Sequence, residues 1–143
     1  MRHNLAPASR LAVLRAIPLF RSCSDDELGL VDRLVDDVDV VPGEILTREG
    51  RHEPQSFIIV SGEATVTRSG QPLATLASGD FFGEMAMLDG AGRSANVTAV
   101  TPMHLLVLDP RSFMSLLDIA GVARVMLRGV VERLRRADEA RVG

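Results

Sequence analysis

The chain has 143 residues, the size of one ordinary domain, and 46% of them are hydrophobic, enough to bury a core without metals or cross-links. Its single cysteine, Cys23, excludes an internal disulfide, and three scattered histidines form no zinc-ligand pattern, so a reducing cytoplasm and no metal are expected. A formal charge of −3 argues against nonspecific nucleic-acid binding, even though all 16 basic residues are arginine.

The N-terminal stretch MRHNLAPASRLAVLRAIPLF is apolar, but Arg10 and Arg15 interrupt it, so it is not a signal peptide. No segment approaches the roughly 20 apolar residues of a membrane span. Leu5, Leu11, Leu14 and Ile17 share a helical face that Pro18 ends. Ser24 and Glu27 then form a capping box, with Asp25 and Asp26 favourable at the helix start. This predicts a second helix over 25–35, with Leu28, Val31, Leu34 and Val35 inward.

From residue 36 the period changes. DVDVVPGEILTREG, QSFIIVSG, EATVTRSG and QPLATLASG are rich in β-formers, and each ends at a glycine: Gly50, Gly62, Gly70 and Gly79. Ala64 and Val66 alternate onto one face. SANVTAV and HLLVLD add further strands. Short strands with turn signals at roughly ten-residue intervals predict a sandwich or roll. Asp109 is a natural N-cap, and Pro110 suits the first helical position. Phe113, Leu116 and Leu117 face inward, Gly121 marks a break, and a longer helix carries Val122, Val125, Met126, Val130 and Leu134. Arg133, Arg135, Arg136, Asp138 and Glu139 read as a solvated helix end. The order helices, strands, helices predicts an α+β fold, mainly β.

The stretch FFGEMAMLDGAGRSANVTA carries the chemistry. If 83–88 forms a short helix, its first amides lack partners and make an anion site. Gly83 allows close approach to that backbone, and Arg93 can return to the same point with a guanidinium shaped for phosphate oxygens. Glu84 should repel an anion, unless the ligand also carries a hydroxyl donor. A 3′,5′-cyclic nucleotide joins a ribose hydroxyl to a compact phosphate in this way. No Walker A, G-x-S-x-G or H-E-x-x-H pattern occurs, so a binding module rather than an enzyme is expected.

Phe82-Gly83-Glu84-Met85-Ala86 and Arg93-Ser94-Ala95-Asn96-Val97 closely resemble the phosphate-binding cassette of the cyclic nucleotide-binding domain family. That family includes catabolite activator proteins, protein kinase A regulatory subunits and nucleotide-gated channels. LFRSCSDDEL, PGEILTREG and SFIIVSGEATV resemble it too, so the likeness runs over about 17–140.

The resemblance implies an antiparallel, jelly-roll-like β-roll with N-terminal helices, a short phosphate-binding helix and C-terminal helices. One domain, 1–143, would comprise helices over 1–35, a roll over 36–109 with the cassette at 79–97, and helices over 110–140. Glu84 would bind the ribose 2′-OH and Arg93 the phosphate. The Met85 and Ala86 amides and Ser94 would complete the cage. Val60, Phe82, Met87 and Ala95 would line the pocket. The terminal helix would close over the base, with Asp138 in reach of it. The ligand would be cAMP, or cGMP where Ser94 meets a guanine amino group. Relatives dimerise through the last helix, where Gly129 would admit a partner helix.

Two departures stand out. Gly92 replaces a proline common in relatives, which predicts a less preorganised Arg93. The chain stops where family activators continue into a helix-turn-helix, which predicts a free-standing sensor or a fragment, without nucleic-acid contact of its own. The alternatives are an interaction or dimerisation module that keeps the roll without a nucleotide, and an effector domain for another small anion, which would not need Glu84.

Overall fold

The computed structural model describes residues 7–84, 87 and 92–142. Its N-terminal helices have locally determined ends. Helix α1 (Pro7–Ala16) stops before a single 3-10 turn at Pro18–Phe20, and α2 spans Asp25–Leu34. Leu5 lies outside the described residues. The capping box forms as expected: the Glu27 N–H donates to Ser24 Oγ at 3.2 Å, and the Ser24 N–H donates to Glu27 Oε1 at 2.9 Å. Such a cap contributes about 1 kcal/mol. Leu14, Leu28 and Val31 are fully buried.

Among the described residues eight strands follow: β1 (Asp36–Val40), β2 (Ile45–Thr47), β3 (Ser56–Ser61), β4 (Ala64–Arg68), β5 (Gln71–Leu76), β6 (Phe81–Phe82), β7 (Asn96–Ala99) and β8 (Met103–Leu108). They form two antiparallel sheets, ordered β1-β8-β3-β6 and β2-β7-β4-β5. The roll anticipated from the turn spacing is therefore present. At the β4–β5 hairpin, Arg68 pairs with Gln71, and the two loop residues Ser69 and Gly70 have φ of 51° and 78°. Positive φ at both positions gives the turn whose twist matches the flanking strands.

Strand alternation divides the interior in two. Phe57, Ile59, Phe82, Val97, Ala99, Met103 and Leu105 fill the space between the sheets. Ile58, Phe81, Leu106 and Leu108 point the other way, where Leu14, Phe20, Leu28, Phe113 and Leu116 cover them. The helices thus pack on one sheet only. Asp37, buried on that side, is compensated rather than isolated. Arg10 Nη1 approaches its Oδ2 at 2.8 Å and His104 Nε2 its Oδ1 at 2.7 Å, while His104 Nδ1 lies 3.0 Å from Asp39. His104 thus braces β8 to β1. Cys23 packs against the helix-side core, and burial first, then Glu27, pushes its thiol pKa up.

Two C-terminal helices complete the fold: α3 (Pro110–Leu117) and α4 (Ala120–Val142). Asp109 caps α3 by accepting the Ser112 N–H at 2.7 Å, with Pro110 in the first turn. The break falls at Asp118–Ile119, ahead of Gly121, the position expected from sequence. The Asp118 N–H turns back to the Ser115 and Leu116 carbonyls, and Ile119 is pinned in the core. Gly121 lies inside α4 against Ser22, where an added Cβ would stand 3.4 Å from the serine Cβ. Val122 and Met126 are buried as expected, but Leu134 is 64% exposed. It sits about 120° around the helix from Val122. Leu127, Val131 and Leu134 instead form a separate outer stripe. No described helix is long and apolar enough to cross a membrane.

Candidate functional site

Arg93 enters the roll just before β7, and its main chain is held on both sides. The Gly50 N–H donates to its carbonyl and its own N–H donates to the Arg51 carbonyl, each at 2.8 Å. Gly92 packs against the same loop: a Cβ there would lie 2.8 Å from the Gly50 oxygen. The loose arginine expected from Gly92 is thus not what the chain builds. The absent side chain permits a close loop crossing that fixes Arg93.

The Arg93 side chain is 5% exposed. Nη1 donates to the Gly83 carbonyl at 3.0 Å and Nη2 to the Gln55 carbonyl, whereas Nε is buried without a hydrogen-bond partner. Burial lowers the Arg93 pKa, and the negative charges of Glu53 and Glu84 oppose that shift. Gly83 has φ of +84°, and a Cβ on it would meet Arg93 Nη1 at 2.8 Å and the Gln55 oxygen at 2.9 Å. The space its hydrogen leaves open is therefore filled by the guanidinium. Gly83 serves the arginine first.

Glu84, next in sequence and in helical conformation, is also 5% exposed. Its Oε1 lies 2.5 Å from Nη1 of Arg133 on α4. Nη2 of Arg133 donates to the Phe81 carbonyl, and its guanidinium carbon stands 4.6 Å above the centre of the Phe81 ring. Arg133 is thus no part of a solvated helix end, as its charged neighbours suggested. The one signal in the sequence was its place on the face of Met126, Gly129 and Val130 at helical spacing.

The other expected residues fall in different places. Met85 and Ala86 lie outside the described residues, and with them most of the expected short helix. Met87 is helical and, like Val60, packs at the edge of the helix-side core. Phe82 is buried between the sheets, stacked on Phe57 with ring centres 4.7 Å apart, and Ala95 is buried. Ser94 is exposed, and its carbonyl accepts Arg68 Nε at 2.8 Å. Asp138 lines an open depression on the outer side of α4 with Val131, Leu134 and Arg135, away from Arg133's side of the helix. Among the described residues no group of His, Cys, Asp and Glu could hold a metal ion.

A buried guanidinium with a free donor, beside a buried carboxylate, has the chemistry to meet an anion and a hydroxyl presented together. The family model for the cyclic nucleotide-binding domain matches residues 37–119. The chain belongs to this family.

A cyclic nucleotide-gated potassium channel of Rhizobium etli is 38% identical to the domain over 96 residues, covering 67% of this chain and 27% of the channel. A cAMP-dependent protein kinase regulatory subunit of Yarrowia lipolytica is 36% identical over 107 residues, covering 73% of this chain and 28% of the subunit. The domain thus spans under a third of the length of these relatives. The solved structure of cAMP-bound PfPKA-R superposes with a TM-score of 0.82 over 93% of this chain and 46% of that one, at 24% identity, a likeness of fold.

Proposed function

We propose that this domain is a sensor that binds a 3′,5′-cyclic nucleotide, cAMP before cGMP, and reports its presence through the C-terminal helix. The observation that carries the reading is the unpaired, buried Nε of Arg93, whose two Nη atoms are already committed to carbonyls next to Glu84. An orphaned buried donor costs about 1–3 kcal/mol, which a phosphate oxygen would recover. The Met85 and Ala86 amides and Ser94 complete the phosphate cage in this reading. Glu84 accepts the ribose 2′-OH. Val60 and Met87 suit the pocket edge, whereas Phe82 and Ala95 act as core beneath it.

The family's domain is a regulatory one, and the reading assigns this chain no catalysis. A single cysteine supports a cytoplasmic setting. The outer α4 stripe supports a homodimer, with Leu127, Val131 and Leu134 rather than Gly129 at its centre. Gly129 faces Phe81, where an added Cβ would lie 3.1 Å from the ring.

Calorimetric titration with cAMP, repeated with cGMP, tests the reading. Binding near the micromolar level, about −8 kcal/mol, is expected, with cAMP tighter. Silence with both ligands would favour the second reading, a fold-retaining interaction module, which the engagement of Glu84 by Arg133 supports. An effector domain for another small anion would instead keep its binding in Glu84→Ala.

A further inference from the structure

Ser94 follows Arg93 towards β7 and is exposed, and among the described residues nothing accepts from its N–H or its hydroxyl. The direction of those two donors depends on the two peptide planes that meet at its Cα. Each plane is rigid, so a hydrogen bond to its carbonyl orients its N–H as well. The first plane is held by backbone: the Arg93 carbonyl accepts from the Gly50 N–H at 2.8 Å. The second is held by a side chain: the Ser94 carbonyl accepts from Arg68 Nε, also at 2.8 Å. With both planes held, φ and ψ of Ser94 are set, and with them the bearing of its N–H and its Cβ.

Arg68 is placed for this by contacts that converge on the same spot. It ends β4 and pairs with Gln71 across the tight turn at Ser69 and Gly70. The Ser69 N–H donates to Glu49 Oε1 at 2.9 Å, which ties that turn to the loop after β2. The Glu49 N–H donates to Asn96 Oδ1 at 2.9 Å, and Asn96 opposes Thr67 in the β4–β7 ladder. Hairpin, loop and the start of β7 are thus fastened together. Beyond Ser94, the Ala95 carbonyl accepts from Thr47 Oγ1 at 3.1 Å. The carbonyls of Arg93, Ser94 and Ala95 are therefore held in turn by a backbone amide, by Arg68 and by a buried threonine. Of the three, only the Ser94 contact depends on an exposed side chain. Its donor is a cation, which makes the bond stronger than one between neutral groups.

We propose that Arg68 is a positioning residue for the cyclic phosphate. It holds the Ser94 carbonyl, so that the Ser94 N–H and hydroxyl favour one of the two exocyclic phosphate oxygens over the other. This rests on the reading of Arg93 and Ser94 as the phosphate cage. A surface cation could also act at a distance, by attracting the anion, but it would then serve both oxygens alike.

The test is a calorimetric titration of wild type, Arg68→Ala, Arg68→Lys, Ser94→Ala and the Arg68→Ala/Ser94→Ala pair, with a thermal melt of each to check folding. The ligands are cAMP or cGMP, whichever binds tighter, and its two phosphorothioate diastereomers, in which sulfur replaces one exocyclic oxygen or the other. Arg68→Ala is expected to weaken the parent nucleotide by about threefold to tenfold, the range of one hydrogen bond. It should also shift the ratio of the two diastereomer affinities by about threefold or more, because Ser94 no longer favours one oxygen. Arg68→Lys keeps the charge without the planar Nε–H, so it recovers affinity in part and leaves the ratio altered. In the Ser94→Ala background, loss of Arg68 costs less than in wild type, because Arg68 acts through that residue. A folded Arg68→Ala variant that loses nothing, or loses equally on both diastereomers, overturns the proposal. Full additivity in the pair overturns it too, as does an Arg68→Lys variant that matches wild type on all three ligands. A wild-type protein silent to both nucleotides would instead sink the reading of the whole site, and this proposal with it.

Discussion

Gly129 lies against the edge of the Phe81 ring: a Cβ on the glycine would stand 3.1 Å from both Cε1 and Cζ. The same ring carries the Arg133 guanidinium 4.6 Å from its centre. Phe81 is therefore where the distal C-terminal helix meets the roll, its edge against Gly129 and its face under Arg133, and the missing side chain sets the helix's distance from it.

This spacing predicts the effect of filling it. Gly129→Val improves helix propensity by a few tenths of a kcal/mol, but overpacking costs about 1–3 kcal/mol, so crowding wins. A net loss of about 1–2 kcal/mol in urea melts is expected, together with weaker nucleotide binding as Arg133 is lifted from Glu84. Gly129→Ala should lie closer to neutral, since its propensity gain of about 1 kcal/mol meets a smaller clash. A valine variant as stable as wild type would mean that the helix is free to shift on Phe81.

A second prediction concerns the pair Gly83 and Arg93. Gly83→Ala must adopt φ near +84° and place its methyl 2.8 Å from Arg93 Nη1. The strained backbone alone costs about 1–3 kcal/mol. The guanidinium must then withdraw, so binding should fall along with stability. Arg93→Lys separates the two effects. Its point charge keeps the attraction for an anion but cannot donate to the Gly83 and Gln55 carbonyls and to a phosphate together. Affinity should drop by at least about tenfold on titration, the worth of a single charge-assisted hydrogen bond. Unchanged affinity in Arg93→Lys would remove Arg93 from the ligand site.

What could be read from sequence follows the range of the interactions involved. Ser24 with Glu27, and Asp109 with Pro110, are helix starts decided within four residues, and both are found where the sequence put them. The strand runs were legible for the same reason. The cassette was legible as a motif, because its residues are close in sequence. Contacts between distant segments were not. Arg133 and Glu84 are 49 positions apart, and the charged neighbours of Arg133 disguised it as solvent-facing. Gly92 looked like a loosened proline site because its crossing with Gly50 is a loop-to-loop contact. Leu134 was put on the wrong face because a helical repeat drifts over three turns.

The pH dependence of the α3 cap gives a third prediction. The Ser112 backbone hydrogen bond, then its side chain, holds the Asp109 carboxyl below its ordinary value of 3.8, with Arg111 assisting against the small effect of burial. The folded pKa is depressed, so the stabilisation is complete above the unfolded value and is lost as pH falls through the folded one. Asp109→Ala should therefore cost about 1 kcal/mol near neutrality. In urea melts the gap to wild type should narrow below pH 3.8. Asp109→Asn keeps a good cap without the charge, so it should stay near wild type at neutral pH. A gap for Asp109→Ala that is constant with pH would show that the carboxylate charge adds nothing.

The outer stripe of α4 supports the last prediction. Leu127, Val131 and Leu134 recur at helical spacing and remain exposed on a helix whose opposite side is already packed. A seam of this width suits a second copy of the same helix. Sedimentation equilibrium at tens of micromolar should then give about twice the 15.4 kDa chain mass. Leu127→Glu combined with Leu134→Glu places like charges in the seam and should return the single-chain mass. The substitutions lie off the face that carries Arg133, so nucleotide affinity should change by less than about threefold. A wild-type chain that sediments alone would refute self-association and leave the stripe for a different protein. A double variant that still sediments as a pair would move the contact elsewhere on the roll.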